Sequence, residues 1–245
     1  MTSTGSELAS RAIGLLEEYG LAEIEGRPFD NSFATFTRPL TDQHRLMVVG
    51  FNGSNADEGW TTKSTFEKGL EDPDFSNIDI GEKVGWNGKR RLARALKRIP
   101  NYFGLDWEDT IYTNAILACS QDAASLAAKV NNSRINGSVS AIKNRSMAFF
   151  RNFTMREFEP TIIVCHGNGE TSFSTASILH EYLEGDEKVS LETHPFKRAY
   201  WFNGYYNGRK IPILCLRHMS RYRVNEDALR NFARAIMTPE FERGE

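Results

Sequence analysis

The chain has 245 residues, 40% of them hydrophobic, with 30 Lys and Arg against 32 Asp and Glu, a net charge of −2. That length supports a full buried core in one α/β domain, and the near-neutral charge means that a polyanion must be met by a local basic patch. Three cysteines far apart in sequence exclude a disulfide framework and a clustered zinc or iron–sulfur site; no apolar run has the length of a membrane span or the layout of a secretory signal. A cytoplasmic protein without metal or cofactor, and without a membrane partner, is expected.

The first element is an amphipathic helix carrying Leu8, Ala12, Leu15, Leu16 and Tyr19. A polar lead-in with Gly26, Pro28 and Pro39 reaches the stretch Arg45 to Asn55, whose apolar first half reads as a buried strand over Leu46 to Phe51. Its small, polar second half reads as a ligand-facing loop. Gly53 to Gly85 is a long polar region, of a length that is usually functional. Lys89 to Ile99 is a basic helix with Leu92, Leu96 and Ile99 on one face, stopped by Pro100. Its charges read equally as a solvated face or as phosphate contacts.

A second strand spans Thr110 to Ile116 and contains Asn114; Ser120 is placed as the N-cap of the next helix. After a break at Asn131 to Gly137 comes a longer helix facing Ile142, Phe149, Phe150 and Phe153 inward. The third strand, Thr161 to Cys165, runs into His166-Gly167-Asn168-Gly169 and a helix from about Ser172 to Leu183, whose first amides suit an anion. Arg198 to Tyr206 and Lys210 to Leu216 flank the turn dipeptide Asn207-Gly208. The last helix starts at the N-cap Asn225, with Val224 stapled to Leu229 and a core face of Leu229, Phe232, Ala233 and Ile236. Alternating strands and helices predict a three-layer αβα sandwich around a short, mostly parallel sheet, in one domain over 1–245, with 1–44 as helix and lead-in and 198–216 as an aromatic hairpin.

The strands end in polar residues: Asn52 and Ser54, Asn114, His166 and Asn168, His218 and Ser220. In an open parallel sheet such ends converge on one crevice. No G-x-S-x-G elbow, phosphate-binding P-loop or metal-ligand spacing is present. Cys165 beside His166 reads as a buried cysteine rather than a nucleophile, because neighbouring strand residues point to opposite faces.

Four of these segments, in order, resemble motifs of the uracil-DNA glycosylase superfamily. Gly50-Phe51-Asn52-Gly53-Ser54 resembles the first motif, nearest the mismatch-specific Gly-x-Asn branch. Ile111 to Ile116 is similar to the second strand, whose asparagine reads the base. Ile163 to Asn168 is similar to the third strand, and His218-Met219-Ser220-Arg221-Tyr222 resembles the closing His-Pro-Ser motif. Gly53 and Met219 stand where the family carries prolines, which leaves the shape of the base pocket open.

The resemblance implies a uracil-DNA glycosylase-like fold and hydrolysis of an N-glycosidic bond in DNA after base flipping, leaving an abasic site. It implies Asn52 as the residue that positions water and His218 as donor to the departing base; Asp57 and Glu58, carboxylates close behind Asn52, read either as rival water activators or as solvated loop residues. Asn114 reads the base edge, Phe66 or Trp60 stacks on the flipped base or else packs in the core, and Phe51 is placed with them against the base. Ser54, Gly167, Asn168, Ser220 and Arg221 contact DNA, and Tyr222 fills the gap left by the base. The expected protein is a monomer with DNA as its partner. The aromatic hairpin, with Tyr200, Trp201, Phe202, Tyr205 and Tyr206, points to a bulky modified pyrimidine, or alternatively to core packing. The pattern is similar to phage-restricting members that remove glucosylated hydroxymethylcytosine, hence an expected role in anti-phage defence. Other readings are a non-catalytic reader of modified DNA and a nucleotide or nucleoside hydrolase.

Overall fold

A computed structural model describes residues 5–21, 23–24, 27–28, 34–35, 46–53, 82–83, 90–107, 110–120, 123–131, 138–169, 173–191, 198–219 and 221–237. Helix α1 (Gly5–Glu18) is followed by the two-residue strands β1 (Glu23–Ile24), β2 (Arg27–Pro28) and β3 (Ala34–Thr35), then by the long strand β4 (Leu46–Gly53). Helix α2 (Arg90–Lys97), strand β5 (Ile111–Cys119), and helices α3 (Ala123–Asn131) and α4 (Val139–Phe149) come next. The chain continues from α4 through a wider π-helical turn, Phe150–Met155, into strand β6 (Ile162–His166) and helix α5 (Thr175–Tyr182). Strands β7 (Val189–Ser190), β8 (Tyr200–Tyr206) and β9 (Arg209–Leu216) and helix α6 (Glu226–Met237) complete the described chain.

Seven strands form one sheet in the order β3-β5-β4-β6-β9-β8-β7. The four in the middle, β5, β4, β6 and β9, are mutually parallel, and the pairings outside them are antiparallel. Strand alternation then sorts the apolar side chains into two layers. Met47, Val49, Ile163, Cys165, Ile213 and Cys215 join the cluster under α1, α4 and α5. Leu46, Val48, Tyr112, Ile162, Val164, Leu214 and Leu216 join the cluster under α2 and α6. Both faces of the parallel strands are therefore covered, as continuous apolar runs such as Leu46 to Val49 require. No described helix is long and apolar enough to cross a membrane.

Several boundaries move for local reasons. Strand β4 runs on through Asn52 and Gly53, with its pairing to β5 shifted between those two residues, so the expected loop begins later. Strand β5 extends three residues past Ile116 to Cys119. Helix α3 is described from Ala123, and the Ser120 hydroxyl accepts from Asn52. The Asn207-Gly208 turn has positive φ at both residues, 50° and 75°, as a tight type I′ hairpin needs. Asn225 caps α6, its Oδ1 accepting from the Ala228 amide at 3.2 Å.

The hairpin aromatics serve mainly the core. Phe202 is buried, Trp201 lies 5.9 Å from Phe232, and the Tyr206 hydroxyl donates to the Arg151 carbonyl at 2.7 Å; Tyr205 is the exposed one. The cysteines are also closer than their spacing suggests. Cys165 and Cys215 are paired in register on β6 and β9 with their sulfurs 3.4 Å apart as free thiols, and burial, then the bond to Cys165, pushes the Cys215 thiol well above its ordinary value.

Phe232 is fully buried between Phe103, 6.1 Å away edge to face, and Trp201. Truncating it leaves a cavity under the sheet face that carries the site described below. Phe232→Ala is expected to cost about 3–5 kcal/mol, measured by urea denaturation.

Candidate active site

The polar residues at the carboxyl ends of the parallel strands continue the parity of the second apolar layer. Two residues beyond Tyr112, Val48, Val164 and Leu216 come Asn114, Gly50, His166 and His218. Gly50 is paired in register with Asn114, and the next pair along β4 and β6 is Val49 with Cys165. Adjacent strands thus align Asn114, Gly50 and His166 in a row, with His218 just past the end of β9. Asn114 and His166 are each only 6% exposed, so both polar groups lie within the protein.

The middle of that row has no room for a side chain. A β-carbon at residue 50 would lie 2.4 Å from Asn114 Oδ1 and 3.0 Å from His166 Nε2. Two polar atoms from flanking strands therefore converge on one point above the bare backbone, an approach that only glycine allows.

His166 is held firmly. Its carbonyl accepts from the Thr175 hydroxyl at 3.0 Å, and the next residue, Gly167, turns the chain at φ 109° while its amide donates to the Leu216 carbonyl at 2.8 Å. The His166 ring lies edge to face with His218, centroids 4.8 Å apart and planes at 75°. Burial first, and the neighbouring His218 second, lower its pKa to about 3, so the ring is neutral at ordinary pH. Its Nδ1 is buried without a hydrogen-bond partner.

Asn52 forms another wall. Its Nδ2 donates to the Ser120 hydroxyl at 2.5 Å and lies 3.3 Å from the Ser120 carbonyl. A backbone carbonyl accepts and cannot donate, so the amide nitrogen faces Ser120 and Oδ1 is turned away as an acceptor. Beyond His218 the chain turns sharply, with the Arg221 and Tyr222 amides donating to the His218 carbonyl at 3.0 and 3.1 Å. Tyr222 is exposed, and the Arg217 guanidinium stacks 3.4 Å over its ring. Beside this turn Arg198, Arg217 and Arg223 rim a cleft of about 190 Å³ floored by Leu216, Met219 and Val224.

The expected site residues divide. Asn114, His218 and the row between them are brought together, and Asn52 is oriented at the neighbouring strand end. Phe51, expected beside the base, packs instead into the first apolar cluster, on the other face of β4. The expected anion site after β6 is also altered. The Gly167 backbone amide is taken up by Leu216, the Asn168 side chain is turned to the Arg198 carbonyl, its Nδ2 donating at 2.8 Å, and α5 starts only at Thr175 with Ser174 as its own cap. Asp57, Glu58, Trp60, Phe66, Ser54 and Ser220 lie outside the described residues. His166 was visible as a polar residue at a strand end and Ser120 as an expected helix cap, but their partners, His218 and Asn52, are distant in sequence. Cys165 belongs to the layer opposite His166, which removes the thiol–imidazole pair as a nucleophile.

No protein-family model and no curated protein matches the sequence. The functional reading therefore rests on the residues and their arrangement.

Gly50→Ala is expected to displace Asn114 and His166 and to cost about 1–3 kcal/mol, as overpacking does. In a double-mutant cycle read by urea denaturation, adding Asn114→Ala should return part of that loss. A second expectation concerns acid. His166 in the folded chain holds its proton only below about pH 3, whereas an unfolded imidazole binds one below its ordinary value of 6.5. The unfolded state thus binds more protons across that window; the stability contribution is complete above 6.5 and is lost as pH falls toward 3. Stability should drop by about 1 kcal/mol per pH unit between about pH 6 and 5 from this group, and His166→Phe should flatten that slope.

Proposed function

We propose that the protein is a DNA glycosylase with a uracil-DNA glycosylase-like fold, which flips a pyrimidine nucleotide out of the strand and hydrolyses its N-glycosidic bond. The observation that carries this reading is the convergence of Asn114 and His166 over Gly50, flanked by His218 and by an Asn52 amide already oriented by Ser120. The order of the four motif-like segments along the chain supports it.

Water attacks C1′ of the sugar as the bond to the base breaks, and the base leaves with the bonding electron pair. Asn52 Oδ1 accepts one hydrogen of that water and so aims an oxygen lone pair at the sugar. An amide is a weak base, but an oxocarbenium-like sugar demands an oriented nucleophile more than a strong one. His218 donates to the base oxygen on which negative charge grows, and the base is protonated on release. Asn114, buried and able to offer both donor and acceptor, reads the base edge.

The same sheet face carries cations suited to a phosphate backbone: the Arg198, Arg217 and Arg223 cleft, the exposed Arg90, Arg91 and Arg94 on α2, and Arg98 just past its end. Lys97 of α2 pairs with Glu82 at 2.6 Å and lies over Trp107, and exposed Arg94 also reaches that carboxylate, at 3.9 Å. Because the hairpin aromatics are mostly core, they add no argument for a bulky substituent, and the substrate class proposed is a pyrimidine, plain or modified.

The test is incubation with DNA carrying uracil, hydroxymethylcytosine or glucosylated hydroxymethylcytosine, with released base identified by mass spectrometry and abasic sites by alkali cleavage. Asn52→Ala should slow single-turnover release about 10²-fold, and His218→Ala about 10²–10³-fold. No release from any of the three overturns the reading. Retained DNA binding by both variants, with no release by the parent, identifies a non-catalytic reader instead.

A further inference from the structure

We infer that His166 is a specificity-determining residue of this site: with Asn114 it reads the bound pyrimidine, donating a hydrogen bond from Nε2 to a carbonyl oxygen of the base. The inference rests on the glycosylase reading for its substrate class and adds a residue to which that reading assigns no role.

Three observations converge on it. The first is the cost of having an imidazole here. Among the described residues, two buried side-chain polar atoms lack a hydrogen-bond partner, His166 Nδ1 and Asn203 Oδ1. Asn203 is otherwise engaged, its Nδ2 donating to Asp186 at 2.8 Å. His166 Nδ1 has no partner, in a layer where Val164 and Leu214 beside it are fully buried hydrocarbon. A leucine or phenylalanine would pack there without an unmet polar group, so packing does not account for the histidine.

The second is the tautomer. A neutral imidazole has one N–H and one bare nitrogen. An orphaned buried N–H is costlier and rarer than an under-used acceptor, so the partnerless Nδ1 is the bare nitrogen and the proton sits on Nε2. The third is direction. Nε2 and the adjacent Cε1 lie 3.0 and 3.3 Å from the point where a β-carbon of residue 50 would stand, the point on which Asn114 Oδ1 also converges. A donor on one strand and an amide on another thus face each other across the bare backbone of Gly50, in the middle of the row, with His218 beyond His166. A pyrimidine edge carries carbonyl oxygens that match the donor. Clamping of the His166 backbone by Thr175 sets the ring in place before any ligand arrives.

The test uses the full-length protein with 15N-labelled histidine, alongside His166→Phe, which keeps a ring without a donor, and His166→Gln, whose amide returns a donor close to Nε2. In the free protein the His166 resonances should show a protonated Nε2 and a bare Nδ1. Addition of free uracil, cytosine or 5-hydroxymethylcytosine should shift the Nε2 signal. On whichever DNA the parent cleaves, His166→Phe should lower kcat/KM about tenfold while remaining folded by circular dichroism, and His166→Gln should recover most of it. A proton on Nδ1, an Nε2 signal indifferent to all three bases, or parental kcat/KM in His166→Phe overturns the inference. If the parent releases no base from any DNA, the glycosylase reading fails separately. The base titration then decides alone: a shifted Nε2 sustains the donor role, and an unmoved one ends it.

Discussion

The in-register pairing of parallel strands places two buried polar side chains on either side of residue 50, and the space between them exists because that residue is glycine. Parallel strands stand about 4.8 Å apart, so side chains from β5 and β6 reach over β4 only where β4 presents nothing of its own. Any β-carbon there would meet the Asn114 oxygen and the His166 ring. Neither can retreat easily, since each is closed in by an apolar layer below and strand backbone beside it. The geometry at the centre of the site is therefore a consequence of strand order, register and one missing side chain.

Burying polar groups in that row works against stability, and the two apolar layers offset it. Strand alternation sends every second residue of β4, β6 and β9 into a different layer, so α1, α4 and α5 on one face, and α2 and α6 on the other, are held against the sheet. That rigid frame lets Asn114 and His166 keep one arrangement. Neutrality of His166 follows from the same burial, and it has a consequence for the neighbouring ring. Two imidazolium ions with centroids 4.8 Å apart would repel, whereas a neutral ring leaves His218 beside it without that penalty. Asn52 is set by a similar economy of partners. Ser120 takes its nitrogen, and the oxygen is left as the acceptor.

Net charge near zero hides an uneven surface. Arg198, Arg217 and Arg223 gather at the turn after β9, and the exposed arginines of α2 lie over the same layer that the polar row extends. At physiological salt the field of each cation fades within about 8 Å, so such local grouping matters more for a polyanion than the total of −2.

Local physics made much of this legible in the residues themselves. The apolar run Leu46 to Val49 marks a buried strand, Asn207-Gly208 a hairpin turn and Asn225 a helix cap, because each depends on backbone and side-chain preferences over a few residues. The polar strand ends were legible for the same reason. Pairing across the sheet was not, since which strands become neighbours is decided by crossovers of tens of residues. Only the fold shows that Ser120 receives the Asn52 amide, and that Cys165 and Cys215 touch across fifty residues. It also shows that Phe51 faces away from the row, and that Trp201 and Tyr206 are held inward because both faces of β8 have core to fill. The sequence by itself determined which residues are polar at the ends of strands; tertiary structure decided that Asn114, Gly50, His166 and His218 share one face, because register and strand order are properties of contacts that no local pattern encodes.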